Sequence, residues 1–272
     1  MELNQSKCGV LHLTRSHEPT ITQYMVLVTP VIRPNSQKDL GISITGDLKW
    51  NKQVQEISSK ANKMLGFVKR TTYVIGNQSV RKALYLTLVR SQLAYGCQVW
   101  APQTVSNILT IECVQRRATK FILSLPYQTD ISFKERLQIL SIIPLCHWQE
   151  YLDIIYIYTS LINDSDSNIS VNVSTRETRR ASNGTFLTVR KCRTVNYQNR
   201  FHTRAASVWN TLPRYIRDTT KSIGSFKTLL RKHYKDLTDS VFNPDDPRTL
   251  KSVCVKCHTS RPLWNLLSRP CC

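Results

Sequence analysis

Two stretches of this chain space their apolar residues as the buried face of an α-helix requires. The first carries apolar residues three or four positions apart at Val54, Ile57, Ala61, Met64, Leu65 and Val68. The second carries them at Ile108, Ile111, Val114, Ala118, Ile122 and Leu125. A stripe of this kind places one side of a helix in the core and leaves the other side to polar residues. Both stretches are therefore predicted to be amphipathic helices.

The remaining patterns predict a mainly α fold with a small β-rich segment at the N-terminus (α+β). Residues 9–13 and 24–28 are short β-rich runs, and nearby prolines limit their length, which suits the strands of a small sheet. Ser222 is a residue type that caps helix N-termini, so a helix is expected after it. Further helices are expected over residues 79–95, 132–140 and 148–162.

Polar, turn-rich sequence separates two predicted helical parts. The run 163–168 consists of asparagine, aspartate and serine, and little periodicity returns before about residue 191. We therefore predict a helical bundle followed by a second, smaller C-terminal module. The predicted boundaries are a β-rich segment at 1–46, the bundle at 47–162, a linker at 163–190, the module at 191–240 and a cysteine-containing tail at 241–272.

The charge balance favours a polyanionic partner. The chain has 38 lysines and arginines against 18 aspartates and glutamates, a formal net charge of +20. Residues 51–145 hold 13 of the basic residues and 4 of the acidic ones, so they carry much of the surplus. A surplus of this size attracts nucleic acid, whose phosphates bind lysine and arginine. RNA, DNA or an RNA–DNA hybrid is the expected partner.

Cations on helix faces are the candidate phosphate contacts, because successive phosphates need successive positive charges. The candidates for nucleic-acid binding are Lys60, Lys63, Lys69, Arg70, Arg90, Arg116, Arg117, Lys120, Lys227, Arg231 and Lys235. A row of charges is also typical of an ordinary solvated helix face, and that alternative stays open for each cluster. Arg90 lies inside an apolar helix, where it could instead pair internally. Trp50, Trp100 and Trp209 could stack on bases, but their apolar surroundings favour core packing.

The C-terminal tail holds a candidate metal site. Two cysteines separated by two residues can bind one zinc ion, and a closing pair of ligands farther along the chain completes a tetrahedral site. The candidate zinc ligands are Cys254, Cys257, His258, Cys271 and Cys272. Free thiols are the alternative, because a closing pair of adjacent cysteines is unusual.

The hydropathy pattern predicts no membrane partner. No apolar run approaches the roughly 20 residues that a membrane span needs, and the N-terminal residues do not form a signal-peptide pattern. An intracellular location, in the nucleus or the cytoplasm, is therefore expected. In that reducing environment the scattered cysteines are expected to be free thiols.

A series of short motifs occurs in one order along the chain. They are Leu40-Gly41-Ile42, Asp47-Leu48-Lys49-Trp50, residues 60–67, residues 88–95 with Val99-Trp100, residues 114–121, residues 204–213, and Ser225-Phe226-Lys227. Together they resemble the region downstream of the catalytic core in jockey-like and related non-LTR (LINE) retrotransposon reverse transcriptases. The resemblance runs from about residue 4 to the end. The chain departs from the family at Ser91, where the family usually has proline, and at Ala94, where it often has glutamate.

The resemblance implies a fold and a function. For residues 40–125 it implies the primer-grip edge of the polymerase palm followed by a helical, thumb-like domain. The later residues resemble the C-terminal domain of the element, which engages RNA and target DNA in target-primed reverse transcription. The parent family is an RNA-directed DNA polymerase. The upstream reverse-transcriptase and endonuclease portion of such an element is then a further expected partner.

The catalytic carboxylates of that family have no counterpart in this sequence. Phosphoryl transfer needs metal ions held by closely placed carboxylates. Adjacent acidic residues occur at Asp245-Asp246, between Pro244 and Pro247, and this setting favours a polar turn. We expect no bound catalytic magnesium and no polymerisation by this chain alone. The alternatives are one piece of an active polymerase whose palm lies in an upstream reading frame, or a non-functional relic of the element.

Overall fold

The computed structural model describes residues 8–13, 22–26, 29–162, 173, 185–217 and 220–253. These residues are mainly helical, with two small antiparallel sheets towards the N-terminus, which confirms the predicted fold class. Two compact units make up the chain, Met1–Glu56 and Ile57–Cys272. The division falls within the first helix, ten residues after the predicted end of the β-rich segment at 46.

The first unit contains four short strands. They are β1 (Met25–Val26), β2 (Thr29–Pro30), β3 (Ser36–Asp39) and β4 (Ile42–Thr45). Strand β1 pairs with β2, and β3 pairs with β4 through a turn at Leu40-Gly41, where both residues have positive φ (45° and 84°). Two such residues in succession match the twist of a tight hairpin. Of the predicted run 9–13, Gly9 forms an isolated bridge with Ile32.

The hairpin is joined to the helix that follows it. The backbone N–H of Ser43 donates to Gln53 Oε1 (2.8 Å), and the Ser43 hydroxyl donates to Glu56 Oε2 (2.7 Å). Ser43 and Gln53 are both buried. Because buried polar groups cost free energy unless they are paired, these two bonds fix the hairpin on the first turns of the helix.

Ten α-helices are found in the described residues. They are α1 (Asn51–Thr71), α2 (Gln78–Leu84), α3 (Ser91–Ala94), α4 (Cys97–Trp100), α5 (Val105–Ile122), α6 (Phe133–Leu140), α7 (Leu145–Ile162), α8 (Val195–Gln198), α9 (Phe201–Thr211) and α10 (Ile223–Ser240). The stretch Tyr85–Arg90 joins α2 to α3 as a π-helix, so the predicted helix over 79–95 is present but is not uniform. The predictions did not include α4, α8 or α9 as separate helices.

Helix α5 lies in the core of the second unit. The residues of its predicted stripe from Ile108 to Ile122 are buried, with exposed fractions of 2% or less. The buried positions are Ile108, Ile111, Val114, Ala118 and Ile122. The stripe therefore orients the helix, and it directs the residues on the opposite side away from the core.

Polar side chains inside this core join α5 to its neighbours. Gln115 accepts a hydrogen bond from the Tyr85 hydroxyl (2.8 Å) and donates one to the Ile143 carbonyl (3.1 Å). The Glu112 carboxylate accepts a bond from the backbone N–H of Cys146 (2.8 Å) in α7. Burial raises the pKa of Glu112 above its usual range. Since a buried polar group needs its partner, these bonds fix the rotation of α5 more narrowly than apolar packing alone.

The C-terminal helices share a hydrophobic cluster with α7. The rings of Tyr158 in α7 and Phe226 in α10 stack with their centroids 3.6 Å apart. Trp209 of α9 is fully buried in the same cluster. A buried ion pair adds to the packing, because Arg204 Nε of α9 lies 3.0 Å from Asp153 Oδ2 of α7.

This shared cluster includes residues from both of the helical parts that the sequence predicted. The sequence predicted a bundle at 47–162 and a separate module at 191–240, because a polar, turn-rich run lies between them. In the structure both ranges contribute to one core, and residues 57–162 belong to the second compact unit together with the range 191–240. Composition reports where a chain is polar, but it does not report which segments on either side pack together.

Helix α6 offers a direct test of a local sequence signal. Ser132 accepts a hydrogen bond from the Glu135 backbone N–H (3.2 Å), and the Glu135 carboxylate accepts one from the Ser132 N–H (2.7 Å). We expect Ser132→Ala to lower the free energy of unfolding by about 0.5–2 kcal/mol, measured by urea denaturation. Ser59→Ala, at an exposed site within α1, is the control. An equal or smaller loss for Ser132→Ala would contradict the capping role.

A buried histidine predicts a pH dependence of stability. His147 is 1% exposed, its Nε2–H donates to the Thr249 carbonyl (3.2 Å), and burial lowers its pKa to about 3. Since the folded pKa lies below the ordinary value of about 6.5, the stabilisation is complete above that value and is lost as the pH falls towards 3. Between pH 7 and pH 5 this group should cost the folded state about 2 kcal/mol.

Urea unfolding of a glutamine variant isolates this contribution. His147→Gln should lose less stability than the wild type between pH 7 and pH 5, because it removes a titrating group and leaves the others in place. His202 is exposed, so His202→Gln should keep the wild-type pH dependence. Identical pH profiles for His147→Gln and the wild type would show that His147 does not titrate as its burial requires.

Candidate nucleic-acid interface

An open groove in the second unit brings basic side chains from several elements together. Its volume is about 1300 Å³, and it lies among α1, α2, α5, α6 and the segment 240–245, which begins at the last residue of α10. The basic residues that line it are Lys69, Arg81, Arg116, Arg117, Lys120, Lys134 and Arg136. Among the lining residues, all of which the structure describes, the one carboxylate is Asp245. We call this surface the basic groove. Its charge fits a polyanion.

Helix α5 supplies three of these cations. Arg116, Arg117 and Lys120 lie opposite the buried stripe, so the packing of α5 directs them into the groove. Arg117 is exposed, and its Nη1 donates to Asn62 Oδ1 (3.2 Å). Among the described residues neither Arg117 nor Lys120 forms an ion pair with a carboxylate. Both charges therefore remain uncompensated by a neighbouring acid.

Arg116 has a weak anionic contact. Its Nη2 lies 3.8 Å from Asp245 Oδ1, and the Asp245 side chain is 85% exposed. The guanidinium also lies 5.1 Å from the centroid of the Phe133 ring, while its Nε has no hydrogen-bond partner within the described part of the chain. An exposed pair at this distance contributes on the order of 1 kcal/mol or less, so a phosphate can replace the carboxylate at little cost.

Lys120 is positioned by the turn that follows α5. The chain reverses at Ser124, which has a positive φ of 55°, and the Leu125 N–H donates to the Lys120 carbonyl (2.9 Å). This turn brings Tyr127 back over the helix end, where Lys120 Nζ donates to the Tyr127 carbonyl (2.6 Å). The same Nζ lies 5.0 Å from the centroid of the Tyr127 ring. A cation therefore lies over an exposed aromatic ring in the groove.

Sequence reasoning missed two arginines in the groove wall. Arg81 donates from Nε to the Ile75 carbonyl (2.7 Å) and lies 5.0 Å from the Phe121 ring centroid. Arg136 donates from Nη1 to the Ile131 carbonyl (2.6 Å). Both are largely buried, so they stabilise the wall of the groove and also add positive charge to it. No periodic signal marks them, because they come from different helices that meet only in the folded chain.

The groove holds its cations close enough to oppose one another. Burial lowers the pKa of Lys69, and the nearby charge of Arg117 lowers it further. Burial likewise lowers the pKa of Arg136, with a further contribution from Arg116. Each shift shows that the charged form is disfavoured in the unliganded groove. A bound anion would remove this penalty.

The other predicted contacts lie outside the groove. Lys60, Lys63 and Arg70 are exposed on α1, and Lys227, Arg231 and Lys235 are exposed on α10. None of these six lines the basic groove, whereas Lys69, Arg116, Arg117 and Lys120 do. The structure thus brings together four of the eleven predicted residues.

Arg90 is a correction, because the structure places it in the interior. Arg90 is 7% exposed, and its Nη2 donates a hydrogen bond to the Ile143 carbonyl (2.9 Å). The guanidinium lies 4.2 Å from the Trp148 ring centroid, and burial lowers its pKa to about 10. A phosphate backbone cannot reach it in this fold. The two tryptophans Trp100 and Trp209 are also fully buried, as the core-packing alternative predicted.

The acidic pair forms a turn. The Asp246 carboxylate accepts a bond from the Arg248 N–H (3.0 Å) and pairs with the Arg248 guanidinium (2.7 Å), at the start of the short 3₁₀ helix Pro247–Thr249. Asp245 lies beside Arg116 instead. The two carboxylates therefore have separate basic partners, in keeping with the polar-turn interpretation.

The metal and membrane predictions have different outcomes. The candidate zinc ligands Cys254, Cys257, His258, Cys271 and Cys272 lie outside the described residues. Within the described ranges, no group of three or more histidine, cysteine, aspartate or glutamate side chains is placed to hold a metal ion. The described helices include none with the length and hydropathy to span a membrane.

Comparisons of the chain with protein-family models, curated proteins and solved structures found no match. The geometry and charge of the basic groove are therefore the main basis for a functional assignment. The motif resemblance described above is a second, independent expectation.

Proposed function

We propose that this chain binds RNA, DNA or an RNA–DNA hybrid through phosphates that lie in the basic groove. The observation that carries the proposal is the convergence of seven cationic side chains from four helices on one concave surface, with a single carboxylate among its described lining residues. Clustered cations of this kind neutralise successive phosphates and release counterions. The overall charge of +20 adds long-range attraction.

The state of the groove cations supports the proposal. Arg117 and Lys120 have neutral hydrogen-bond partners, and Arg116 has an exposed carboxylate at 3.8 Å. An ordinary solvated helix face spreads its charges in water, whereas these cations meet in a groove that also holds Lys69 and Arg136. Burial lowers the pKa of Lys69 and of Arg136, and the charges of Arg117 and Arg116, respectively, lower them further. Binding of a phosphate backbone would relieve that repulsion. The solvated-face alternative offers no such gain.

The motif resemblance gives this binding a biological role. We propose that the chain is the C-terminal, nucleic-acid-binding part of a LINE-type reverse transcriptase, which grips template and primer during target-primed reverse transcription. The motif 114–121 supports this role, because it includes Arg116, Arg117 and Lys120. The upstream portion of the element would supply the palm and its catalytic carboxylates. Zinc in the C-terminal tail is part of the same proposal.

Salt dependence tests the groove directly. An end-labelled RNA or DNA strand titrated at several salt concentrations should show a logarithmic affinity that falls with the logarithm of salt concentration. The triple variant Arg116→Gln, Arg117→Gln, Lys120→Gln should weaken binding and reduce the slope by about 2 to 3, because three phosphate contacts are lost. The matched control changes three exposed cations outside the groove, Arg190, Lys191 and Arg214, to glutamine.

The two variants carry the same net charge, so the control removes any effect of charge alone. An equal loss of affinity and slope in both variants would show that binding is diffuse and would contradict a groove-centred site. Far-ultraviolet circular dichroism and urea unfolding establish that both variants fold as the wild type does.

A further inference from the structure

We propose that the basic groove selects a single strand of RNA or DNA, and that Tyr127 and Tyr73 stack on its bases. This inference rests on the proposed function and adds the form of nucleic acid that the groove binds. The structural basis is the presence of two exposed aromatic rings among the groove cations.

The exposure of the two tyrosines is unusual for this chain. Tyr127 is 90% exposed and Tyr73 is 84% exposed, and the next most exposed aromatic residue in the described part of the chain is Tyr95 at 58%. Both of the most exposed rings line the basic groove. Burial of a tyrosine ring away from water is favourable, so these two exposed rings lack a stabilisation that burial would provide. A ligand with flat aromatic rings would recover it.

The pairing of ring and cation matches the shape of a nucleotide. Lys120 Nζ is hydrogen-bonded to the Tyr127 carbonyl and lies 5.0 Å from the Tyr127 ring centroid. The lysine therefore can contact a phosphate while the neighbouring ring contacts the base of the same strand. Proteins that bind single strands combine these two elements, a positive groove and aromatic side chains on which bases stack.

The remaining aromatic residues of the groove have a different position. Phe133 is buried, and Arg116 and Arg136 both lie against its ring. Phe121 is half-buried, with Arg81 and Lys69 near its ring. These two rings are covered by the wall of the groove. Tyr127 and Tyr73 are accordingly the rings that a base can reach.

A duplex would make poor use of this arrangement. Its bases already stack on one another inside the helix, so the side chains of the groove would meet phosphates and sugars alone. The exposed rings would then contribute little to affinity. A single strand presents its bases for stacking, and each stacked base adds to the phosphate contacts.

The test compares three probes with the full-length chain. The first is an end-labelled thymidine strand of about 12 nucleotides, within the range of one binding groove. The second is an abasic strand of the same length and charge, and the third is a duplex of that length. The wild type should bind the thymidine strand at least about fivefold more tightly than the abasic strand and the duplex.

Variants of Tyr127 assign the difference to stacking. Tyr127→Ala should weaken binding of the thymidine strand about fivefold or more and leave the abasic strand unchanged. Tyr127→Phe should retain wild-type affinity, because the ring is kept. Tyr215→Ala is the matched control, since Tyr215 is 56% exposed and does not line the groove.

The outcomes separate this inference from the proposed function. Equal affinity for thymidine and abasic strands, tighter binding of the duplex, or no effect of Tyr127→Ala would each overturn the stacking proposal while leaving phosphate binding in place. Absence of salt-dependent binding to all three probes would overturn both proposals.

Discussion

The basic groove depends on how helix α5 is held in the core. Its apolar stripe packs inside the second unit, and the buried Gln115 and Glu112 hydrogen-bond to Tyr85 and to the segment 143–146. Those bonds favour the one rotation of the helix in which Gln115 and one oxygen of the Glu112 carboxylate have hydrogen-bond partners. In that rotation Arg116, Arg117 and Lys120 line the groove. The function proposed for the surface is therefore a consequence of hydrogen bonds in the interior.

The neighbouring elements turn this helix face into a concave site. The turn at Ser124 returns the chain over the end of α5 and places Tyr127 beside Lys120. The capping box of α6 fixes the start of that helix, from which Phe133 and Arg136 reach the groove wall. Together these contacts hold positively charged side chains close to one another in a partly buried groove, where burial and mutual repulsion disfavour a positive charge. The intramolecular structure thus holds cations in a state that an anion stabilises.

Periodicity predicted much of this arrangement, because both faces of α5 can be derived from the sequence. The apolar face was predicted correctly from Ile108 to Ile122, and the cations opposite it line the groove. The helix cap predicted at Ser222 was equally local and was also found. These features depend on residues within one or two turns, which is the range over which a sequence pattern is informative.

The missed features depend on contacts between distant segments. Arg81 and Arg136 reach the groove from α2 and α6, and nothing in either helix alone distinguishes them from surface cations. Arg90 was a candidate because its charge is visible in the sequence, whereas its burial against Trp148 is not. For the same reason, the sequence did not predict that α7, α9 and α10 share one core across the predicted polar linker. Tertiary packing decides these positions, and local pattern does not report it.

Photo-crosslinking with mass spectrometry tests the location of the nucleic acid most directly. A strand that carries a photoreactive thio-substituted uridine is bound to the full-length chain and irradiated, and the crosslinked peptides are sequenced. The account predicts crosslinks within residues 113–136, centred on Tyr127. Crosslinks confined to the exposed rows on α10 (Lys227, Arg231 and Lys235) or on α1 (Lys60 and Lys63) would contradict it.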